Sequence, residues 1–112
     1  MQLIEAVIKP NKLEAVKNAL TKLGILGMTA FECKGFGRQL GHSERYRGPK
    51  MDAGFVPKVL IHVVVKDSDK DKVVKAIIEA AHTGNVGDGK VFVLPVGEAT
   101  RIRTGETSES AL

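Results

Sequence analysis

The pattern of apolar and polar positions begins with a strand and a helix. Residues 2–9 form an extended apolar segment, which Pro10 ends because proline cannot donate a hydrogen bond to a strand ladder. From Asn11 onward the apolar residues recur at helical spacing, and Gly24 follows as a terminator. The recurring residues are Leu13, Val16, Leu20 and Leu23. The pattern therefore predicts a first strand followed by an amphipathic helix.

A second strand, a long loop and a third strand follow. Residues 27–34 return to strand-like content, whereas residues 35–55 lose periodicity and collect glycines, charges and Pro49. Loops longer than about 12 to 15 residues are usually functional or disordered, so this segment is a candidate site. From Pro57 to Val65 both alternating sets of positions are largely apolar, which predicts a strand buried on both faces.

The last part of the chain predicts a second helix and a fourth strand. Capping groups and favourable first-turn charge for the helix come from Asp67, Ser68, Asp69 and Asp71. Its apolar positions are Val73, Val74, Ile77, Ile78 and Ala81. Gly84 is expected to end it, and residues 91–96 predict the last strand. The polar segment after Gly97 is expected to fray beyond Gly105.

The order of these elements predicts the fold class. A β-α-β-β-α-β order with a long loop between the second and third strands indicates an α+β, ferredoxin-like sandwich. A chain of 112 residues builds one core, so we expect a single domain over residues 1–112. Two helices cover only one face of a four-stranded sheet, yet the apolar residues of the first and third strands point to both faces. The uncovered face predicts a homo-oligomer.

Composition and charge narrow the classes of function. The single cysteine, Cys33, cannot form an internal disulfide, and no signal peptide or bilayer-spanning apolar run is visible, so we expect a cytoplasmic protein. The formal net charge is +4, with 17 cationic and 13 anionic residues spread along the chain. This mild excess suits an anionic small molecule as well as it suits nucleic acid.

The strongest chemical signal is the glycine-rich segment of residues 83–90. Three glycines in six positions let the backbone approach a ligand closely, and Lys90 adds a positive charge, which is typical of a phosphate site. The segment is not a Walker motif, because Val91 replaces the magnesium-binding hydroxyl and a strand follows where that motif requires a helix. The alternative interpretation is a structural turn between a helix and a strand.

A second basic element lies in the C-terminal segment of residues 98–105. Arg101 and Arg103 alternate around Ile102, and in extended conformation both guanidinium groups would lie on one side and suit a polyphosphate. A solvated edge strand whose charges prevent aggregation is the alternative.

A third element opens the long loop. Residues 34–37 match the start of an RNA-recognition signature, but Arg38 and Gln39 replace the aromatic residues that should follow, and the match comes after the second strand. RNA binding is kept as an alternative function. His42, His62 and His82 lack zinc-ligand spacing and are interpreted as structural or surface residues. Because no nucleophile with an adjacent base is visible, we do not expect an enzyme.

Several of these segments together resemble the PII nitrogen-regulatory proteins. They are residues 34–39, 46–48, 57–58, 83–93 and 101–105, and the similarity covers nearly the whole chain in register. The resemblance implies a cytoplasmic signal transduction protein that senses ATP or ADP and 2-oxoglutarate. It implies a homotrimer with nucleotide sites between subunits, and a mobile loop, residues 37–55, that docks onto an ammonium channel or an enzyme of nitrogen metabolism. A membrane would be reached only through such a partner, and no nucleic acid is expected.

The resemblance also implies roles for individual residues. The phosphate side would comprise Arg38, Gly87, Asp88, Gly89, Lys90, Arg101 and Arg103, the last reaching across from a neighbouring subunit. The adenosine side would comprise Val7, Thr29, Gly35, Gly37 and Val64. The 2-oxoglutarate site would comprise Gln39, Gly41 and Lys58, with Gln39 also ligating Mg through its amide oxygen.

The chain departs from the family pattern at the tip of the long loop. Met51 stands where many members carry a nucleotidylated tyrosine, and Pro49 stands where some carry a phosphorylated serine. Tyr46 and Ser43 are other hydroxyl-bearing residues of the loop. A PII-like paralogue that regulates a different transporter or enzyme therefore stays open as an alternative.

Overall fold

Four strands and two helices make up the part of the chain that our computed structural model describes, residues 1–37 and 54–112. The elements are β1 (Gln2–Ile8), α1 (Leu13–Lys22), β2 (Thr29–Gly35), β3 (Val56–Val65), α2 (Lys70–Ala81) and β4 (Lys90–Pro95). Short 3-10 turns lie at Pro10–Lys12, Asp67–Asp69 and Ser108–Ala111. The strands form one antiparallel sheet in the order β2-β3-β1-β4, which confirms the predicted ferredoxin-like α+β fold.

The predicted elements agree with the observed ones to within a few residues. The helix α1 ends at Lys22 as predicted, and Gly24 adopts the positive φ of +82° that a glycine after a helix can reach without strain. The helix α2 ends at Ala81, earlier than the predicted stop at Gly84, because His82 is already extended. Most of the predicted long loop lies outside the described residues.

The hydrophobic core lies between the two helices and one face of the sheet. β1 contributes Ile4, Ala6 and Ile8, and β3 contributes Val59, Ile61, Val63 and Val65, all of them buried. The helices contribute Val16, Leu20, Val73, Ile77 and Ala81. Spacing of two residues in the strands and of three to four in the helices places each set on one side of its element. The helical periodicity therefore predicted the buried positions of α1 and α2, except that Ile78 of α2 is 51% exposed.

The opposite face of the sheet, here the open face, has no covering layer within the described residues. It carries Leu3, Glu5, Val7, Phe31, Leu60, His62, Val64, Phe92 and Leu94, as the strand register shows. Phe31, Phe92 and Leu94 each expose more than two fifths of their surface. The expectation that β3 is buried on both faces is therefore wrong for a single chain. A buried second face requires another molecule.

The predicted capping of α2 is wrong. The N-cap residue Asp69 has φ −98° and ψ −10° and makes no side-chain capping hydrogen bond. A capping side chain requires an extended backbone at this position, whereas the preceding 3-10 turn already makes it helical. The carboxylate of Asp67 instead accepts hydrogen bonds from the Met1 amino group at 2.9 Å and from Gln2 at 3.0 Å. The Asp69 carboxylate pairs with Lys72 at 3.2 Å.

The predicted fraying of the C-terminus is also wrong. Thr100 and Thr107 form a β-bridge, and the Ser108 amide donates to the Ala99 carbonyl at 3.0 Å. Gly105, at φ +75°, allows the chain to reverse direction between the two threonines. Backbone pairing within this hairpin gives the polar segment a defined path. No helix among residues 1–37 and 54–112 is long and apolar enough to cross a membrane.

Candidate functional site

The turn between α2 and β4, residues 83–89, has a backbone that glycine makes accessible. Gly84, Gly87 and Gly89 have φ values of +90°, +103° and +102°. These lie in the left-handed region that other residues rarely adopt. Gly89 also lies close to β1, because a Cβ atom added to it would meet the carbonyl oxygen of Val7 first. The turn therefore requires glycine for its conformation and for its contact with the sheet.

The carboxylate of Asp88 organises the first half of this turn. It accepts hydrogen bonds from the Thr83 amide at 2.8 Å and from the Gly84 amide at 2.9 Å. The hydroxyl of Thr83 also donates to Asp88, and Lys9 lies 3.3 Å from it as an ion-pair partner. Hydrogen bonding from the Thr83 side chain, reinforced by the amides and Lys9, holds the pKa of Asp88 well below its ordinary value. Asp88 therefore shapes the turn from within.

Lys58 fixes the second half of the turn. It is 6% exposed, and its ammonium group donates to the carbonyl oxygen of Gly87. Burial lowers the pKa of Lys58, and the positive charge of Lys9 lowers it further, while Asp88 opposes the shift. A lysine with so little solvent contact is a candidate for binding an anion.

The turn, the end of β2 and the start of β3 enclose a cleft of about 530 Å³. Eight of the predicted site residues line it: Val7, Gly35, Gly37, Lys58, Gly87, Asp88, Gly89 and Lys90. The lining combines the cationic side chains of Lys58 and Lys90 with apolar residues that include Val7. An amphipathic anion of the size of a nucleotide matches this combination of charge and apolar surface.

Thr29 and Val64 are not brought to the cleft within one chain. Val7 pairs with Leu60, whereas Val64 lies four residues further along β3 and pairs with Leu3. At about 3.3 Å per residue, four residues of strand separate these positions by about 13 Å. Thr29 pairs with His62, between the two. Both predicted residues lie on the open-face side of the sheet rather than in the cleft lining.

The predicted extended conformation of the two arginines is wrong. Residues 102–104 form a turn, and the Gly105 amide donates to the Arg101 carbonyl at 2.8 Å. The Arg101 guanidinium pairs with Glu106 at 3.1 Å and donates to the Leu112 carbonyl at 3.0 Å. Arg103 is exposed, and neither arginine lines the cleft. The hairpin pairing of Thr100 with Thr107 imposes this reversal, which local spacing does not reveal.

Three predicted residues of the long loop, Arg38, Gln39 and Gly41, lie outside the described residues, as does the whole segment 38–53. Their roles stay predictions. Within residues 1–37 and 54–112 no group of three or more His, Cys, Asp or Glu side chains could hold a metal ion. Gln39, the predicted magnesium ligand, is one of the residues that the structure does not describe.

The histidines that the structure describes fit their predicted structural role. His62 lies 2.8 Å from the Glu5 carboxylate on the open face, and its ring meets Phe31 edge-on with centroids 5.2 Å apart. His82 is exposed. His42 lies in the segment outside the described residues.

Sequence reasoning missed several residues of the site. Lys9 contacts Asp88 and Thr83 from the end of β1, although it is more than 70 positions away in the chain. Phe36 and Phe92 add apolar surface to the lining of the cleft. Phe36 also packs on Phe55, with ring centroids 5.2 Å apart, where the long loop leaves and rejoins the sheet. The aromatic residues that flank the long loop could have been predicted as part of the site from the sequence. No feature of the sequence around Lys9 indicated its contact with the turn.

Comparison with known proteins places the chain in a family. The family model "Nitrogen regulatory protein P-II" matches residues 1–106. The chain is 55% identical to nitrogen regulatory protein P-II of Azospirillum brasilense and 50% identical to nitrogen regulatory protein GlnK of Escherichia coli K12, over 112 residues and the full length of both partners in each case. A crystal structure of Arabidopsis thaliana PII bound to citrate superposes with a TM-score of 0.83 at 40% identity, covering 99% of this chain and 91% of that one. The chain therefore belongs to the P-II nitrogen regulatory protein family and is a signal transduction regulator, not an enzyme.

Proposed function

We propose that this signal transducer binds ATP or ADP in the cleft beside the glycine-rich turn. The observation that carries the proposal is the juxtaposition of this turn with two lysines, Lys58 and Lys90, on the lining of one cleft of about 530 Å³. A polyphosphate requires close backbone approach and positive charge, and both are present. The apolar residues of the lining, which include Val7, suit an adenosine group.

The residues of the cleft divide between two parts of the nucleotide. Gly87, Gly89 and Lys90 hold the phosphates, while Asp88 keeps the turn in shape with its charge matched by Lys9. Val7, Gly35 and Gly37 face the adenosine. In the long loop, Arg38 adds a further cation to the phosphate side.

We propose that the protein is a homotrimer whose nucleotide sites lie between subunits. The open face supports association, because it exposes Phe31 on one edge strand and Phe92 and Leu94 on the other edge strand of the same four-stranded sheet. Four site residues that do not line the cleft of their own chain are Thr29, Val64, Arg101 and Arg103. A neighbouring copy can supply them, with Arg103 reaching the phosphates and Thr29 and Val64 the adenosine.

A second ligand, 2-oxoglutarate, is proposed to bind beside Mg-ATP. Lys58 supplies the cation for a carboxylate, and its burial strengthens such a pair. Gln39 ligates the magnesium, and Gly41 lets the loop backbone close on the ligand. The citrate in the Arabidopsis protein is itself a polycarboxylate, which supports a carboxylate site in this family. When bound, the magnesium supplies a positive centre shared by nucleotide and effector, so the two ligands bind cooperatively.

The output of the sensor is proposed to be the docking of the loop, residues 37–55, onto a partner protein. The loop carries Gln39 and is rooted at the Phe36 and Phe55 pair beside the cleft, so ligand binding can select its conformation. The partner is an ammonium channel or an enzyme of nitrogen metabolism, reached from the cytoplasm. The unusual residues of the loop tip favour a second candidate, a different transporter or enzyme. RNA binding, the remaining alternative, has no support from the family.

Calorimetry tests the nucleotide proposal. ATP and ADP should bind in the micromolar range, and Lys90→Ala should weaken both at least about tenfold because one charge-assisted phosphate contact is lost. Lys75→Ala, which removes the same charge from the exposed side of α2, should bind as the parent does. Equal affinities of the parent and Lys90→Ala would contradict the phosphate assignment. Binding of oligonucleotides with a steep salt dependence would instead favour the RNA alternative.

A further inference from the structure

Lys9, at the C-terminal end of β1, contacts the glycine-rich turn from outside the cleft. Its ammonium nitrogen lies 3.3 Å from the Asp88 carboxylate and donates to the Thr83 hydroxyl at 3.1 Å. The side chains of Lys9 and Asp88 are 25% and 23% exposed. The pair is therefore shielded from water to a degree that surface ion pairs are not. Lys9 is absent from the lining of the cleft.

The contacts of Lys9 reach the backbone of the turn through two side chains. Asp88 accepts hydrogen bonds from the amides of Thr83 and Gly84, and the Thr83 hydroxyl accepts one from the Asn85 amide at 3.1 Å. Three consecutive amides are thus held by two side chains, and both of those side chains contact Lys9. The lowered pKa of Asp88 agrees with a carboxylate that stays charged in this cluster.

The other contacts that tie the turn to the sheet hold only its second half. Gly89 abuts the Val7 carbonyl, and the Gly87 carbonyl accepts a hydrogen bond from Lys58. Among the described contacts, those of Lys9 with Thr83 and Asp88 are therefore the ones that connect residues 83–85 to β1. Loss of the ammonium group would release that half of the turn. It would also leave the Asp88 charge unbalanced beside the proposed phosphate site.

We propose that Lys9 is a positioning residue that sets nucleotide affinity through Asp88 and Thr83 without touching the ligand. This inference rests on the proposed function of the cleft. Lys9, which directly follows β1, would contribute to nucleotide binding by orienting the turn and by neutralising the charge of Asp88. If Lys9 acts through Asp88, the two substitutions are coupled. Replacing Lys9 in a protein that already lacks the Asp88 charge should then change nucleotide affinity little.

A double-mutant cycle provides the test. ATP and ADP affinities are measured by calorimetry for the parent, Lys9→Met, Asp88→Asn and the combined variant. We expect Lys9→Met to weaken binding about five- to twentyfold, and the combined variant to be no more than about twofold weaker than Asp88→Asn alone. Lys9→Arg keeps the charge and should recover affinity to within about threefold of the parent. Lys17→Met, which removes an exposed charge paired with Glu14 on α1, is the matched control and should bind like the parent.

Hydrogen exchange on the protein without nucleotide supplies the second readout. Amides of residues 83–85 should exchange faster in Lys9→Met than in the parent, while those of β1 and β3 keep the parent rates, since the sheet does not depend on this contact. A general loss of stability would instead raise exchange across the sheet and would overturn the inference. If Lys9→Met does not fold, Thr83→Val removes the hydroxyl that links Lys9 to the turn and should show the same loss of affinity.

The outcomes separate this inference from the proposed function. Additive losses in the double-mutant cycle would mean that Lys9 acts independently of Asp88 and would overturn the positioning role. Parent-like affinity of Lys9→Met, or of Thr83→Val where that variant is used, would overturn it as well. In both cases nucleotide binding by the parent would leave the proposed function standing. If the parent binds neither ATP nor ADP, the proposed function fails and the inference fails with it.

Discussion

A Cβ atom on Gly89 would lie 1.7 Å from the carbonyl oxygen of Val7, which is well inside van der Waals contact. The glycine-rich turn therefore packs against β1 without any side chain between the two backbones. Val7 and Gly89 both line the cleft. The position of the turn is therefore fixed by direct backbone packing on β1 at Gly89.

Gly89→Ala should disrupt that packing. The left-handed φ of +102° alone costs alanine about 1 to 3 kcal/mol, and the clash with the Val7 carbonyl forces the turn away from β1 as well. We expect a lower unfolding temperature and loss of measurable ATP binding. Gly97→Ala is the control, since a Cβ there meets no atom within 4 Å. Retention of parent-like ATP affinity by Gly89→Ala would contradict the assignment of the phosphates to this turn.

The stability contributed by Asp88 should depend on pH. Its pKa is lowered in the folded protein, so the contribution is complete above the ordinary value of 3.8 and declines as the pH falls below it. The stability difference between the parent and Asp88→Asn, from urea unfolding, should be larger at pH 7 than at pH 3. Asp71→Asn, at a carboxylate that is 92% exposed, serves as the control. A difference that grows on acidification would contradict the lowered pKa.

Phe31→Lys should break the proposed trimer. Phe31 lies on the open face and is 45% exposed in one chain, so association would bury a large apolar side chain there. A lysine at this position would place an unpaired charge in the interface. Light scattering after gel filtration should report the mass of a single chain. Leu26→Lys makes a similar apolar-to-lysine change at a residue that is 84% exposed between α1 and β2, and it should keep the mass of the parent.

Binding of 2-oxoglutarate should require both Mg-ATP and Lys58. Gln39→Ala should abolish the effect of 2-oxoglutarate while leaving ADP affinity within about twofold, because only the effector needs the metal contact. Because the pKa of Lys58 is lowered by burial, its positive charge is lost at a lower pH than that of an ordinary lysine. Effector affinity should therefore begin to fall at a lower pH than it would if Lys58 were an ordinary lysine. Calorimetry measures the dependence of 2-oxoglutarate binding on Mg-ATP, on Gln39 and on pH. Binding of 2-oxoglutarate without nucleotide would contradict the mechanism.

Regulation should proceed through ligands without nucleotidylation of the loop tip. Met51 has no hydroxyl to accept a nucleotide, and Pro49 has none to accept a phosphate. Intact mass spectrometry of the protein from nitrogen-starved and nitrogen-replete cells should give the unmodified mass in both. A stoichiometric gain of a nucleotide monophosphate, mapped to Tyr46, would refute this prediction.

The sequence by itself determined the elements and the position of the turn. A period of 3.6 residues marks the buried positions Val16 and Leu20 of α1, because the side chains that one face buries recur with the geometry of the backbone. Glycine at positions 84, 87 and 89 marked a turn with unusual φ values, since few other residues reach them. These signals are local, and each can be read without knowledge of the rest of the chain.

The tertiary structure alone decided which distant residues meet. Lys9 contacts Thr83 across 74 positions, and Lys58 contacts Gly87 across 29, because strand register brings the end of β1 and the start of β3 to the turn. Pairing between segments also kept predicted residues away from the cleft. The alternation of Arg101 and Arg103 suggested an extended segment, but a hairpin closed by Thr100 and Thr107 turns the chain there. Sheet register and hairpin closure are set by pairing between separate segments. Residue spacing within one segment does not show which residues of another segment lie opposite it.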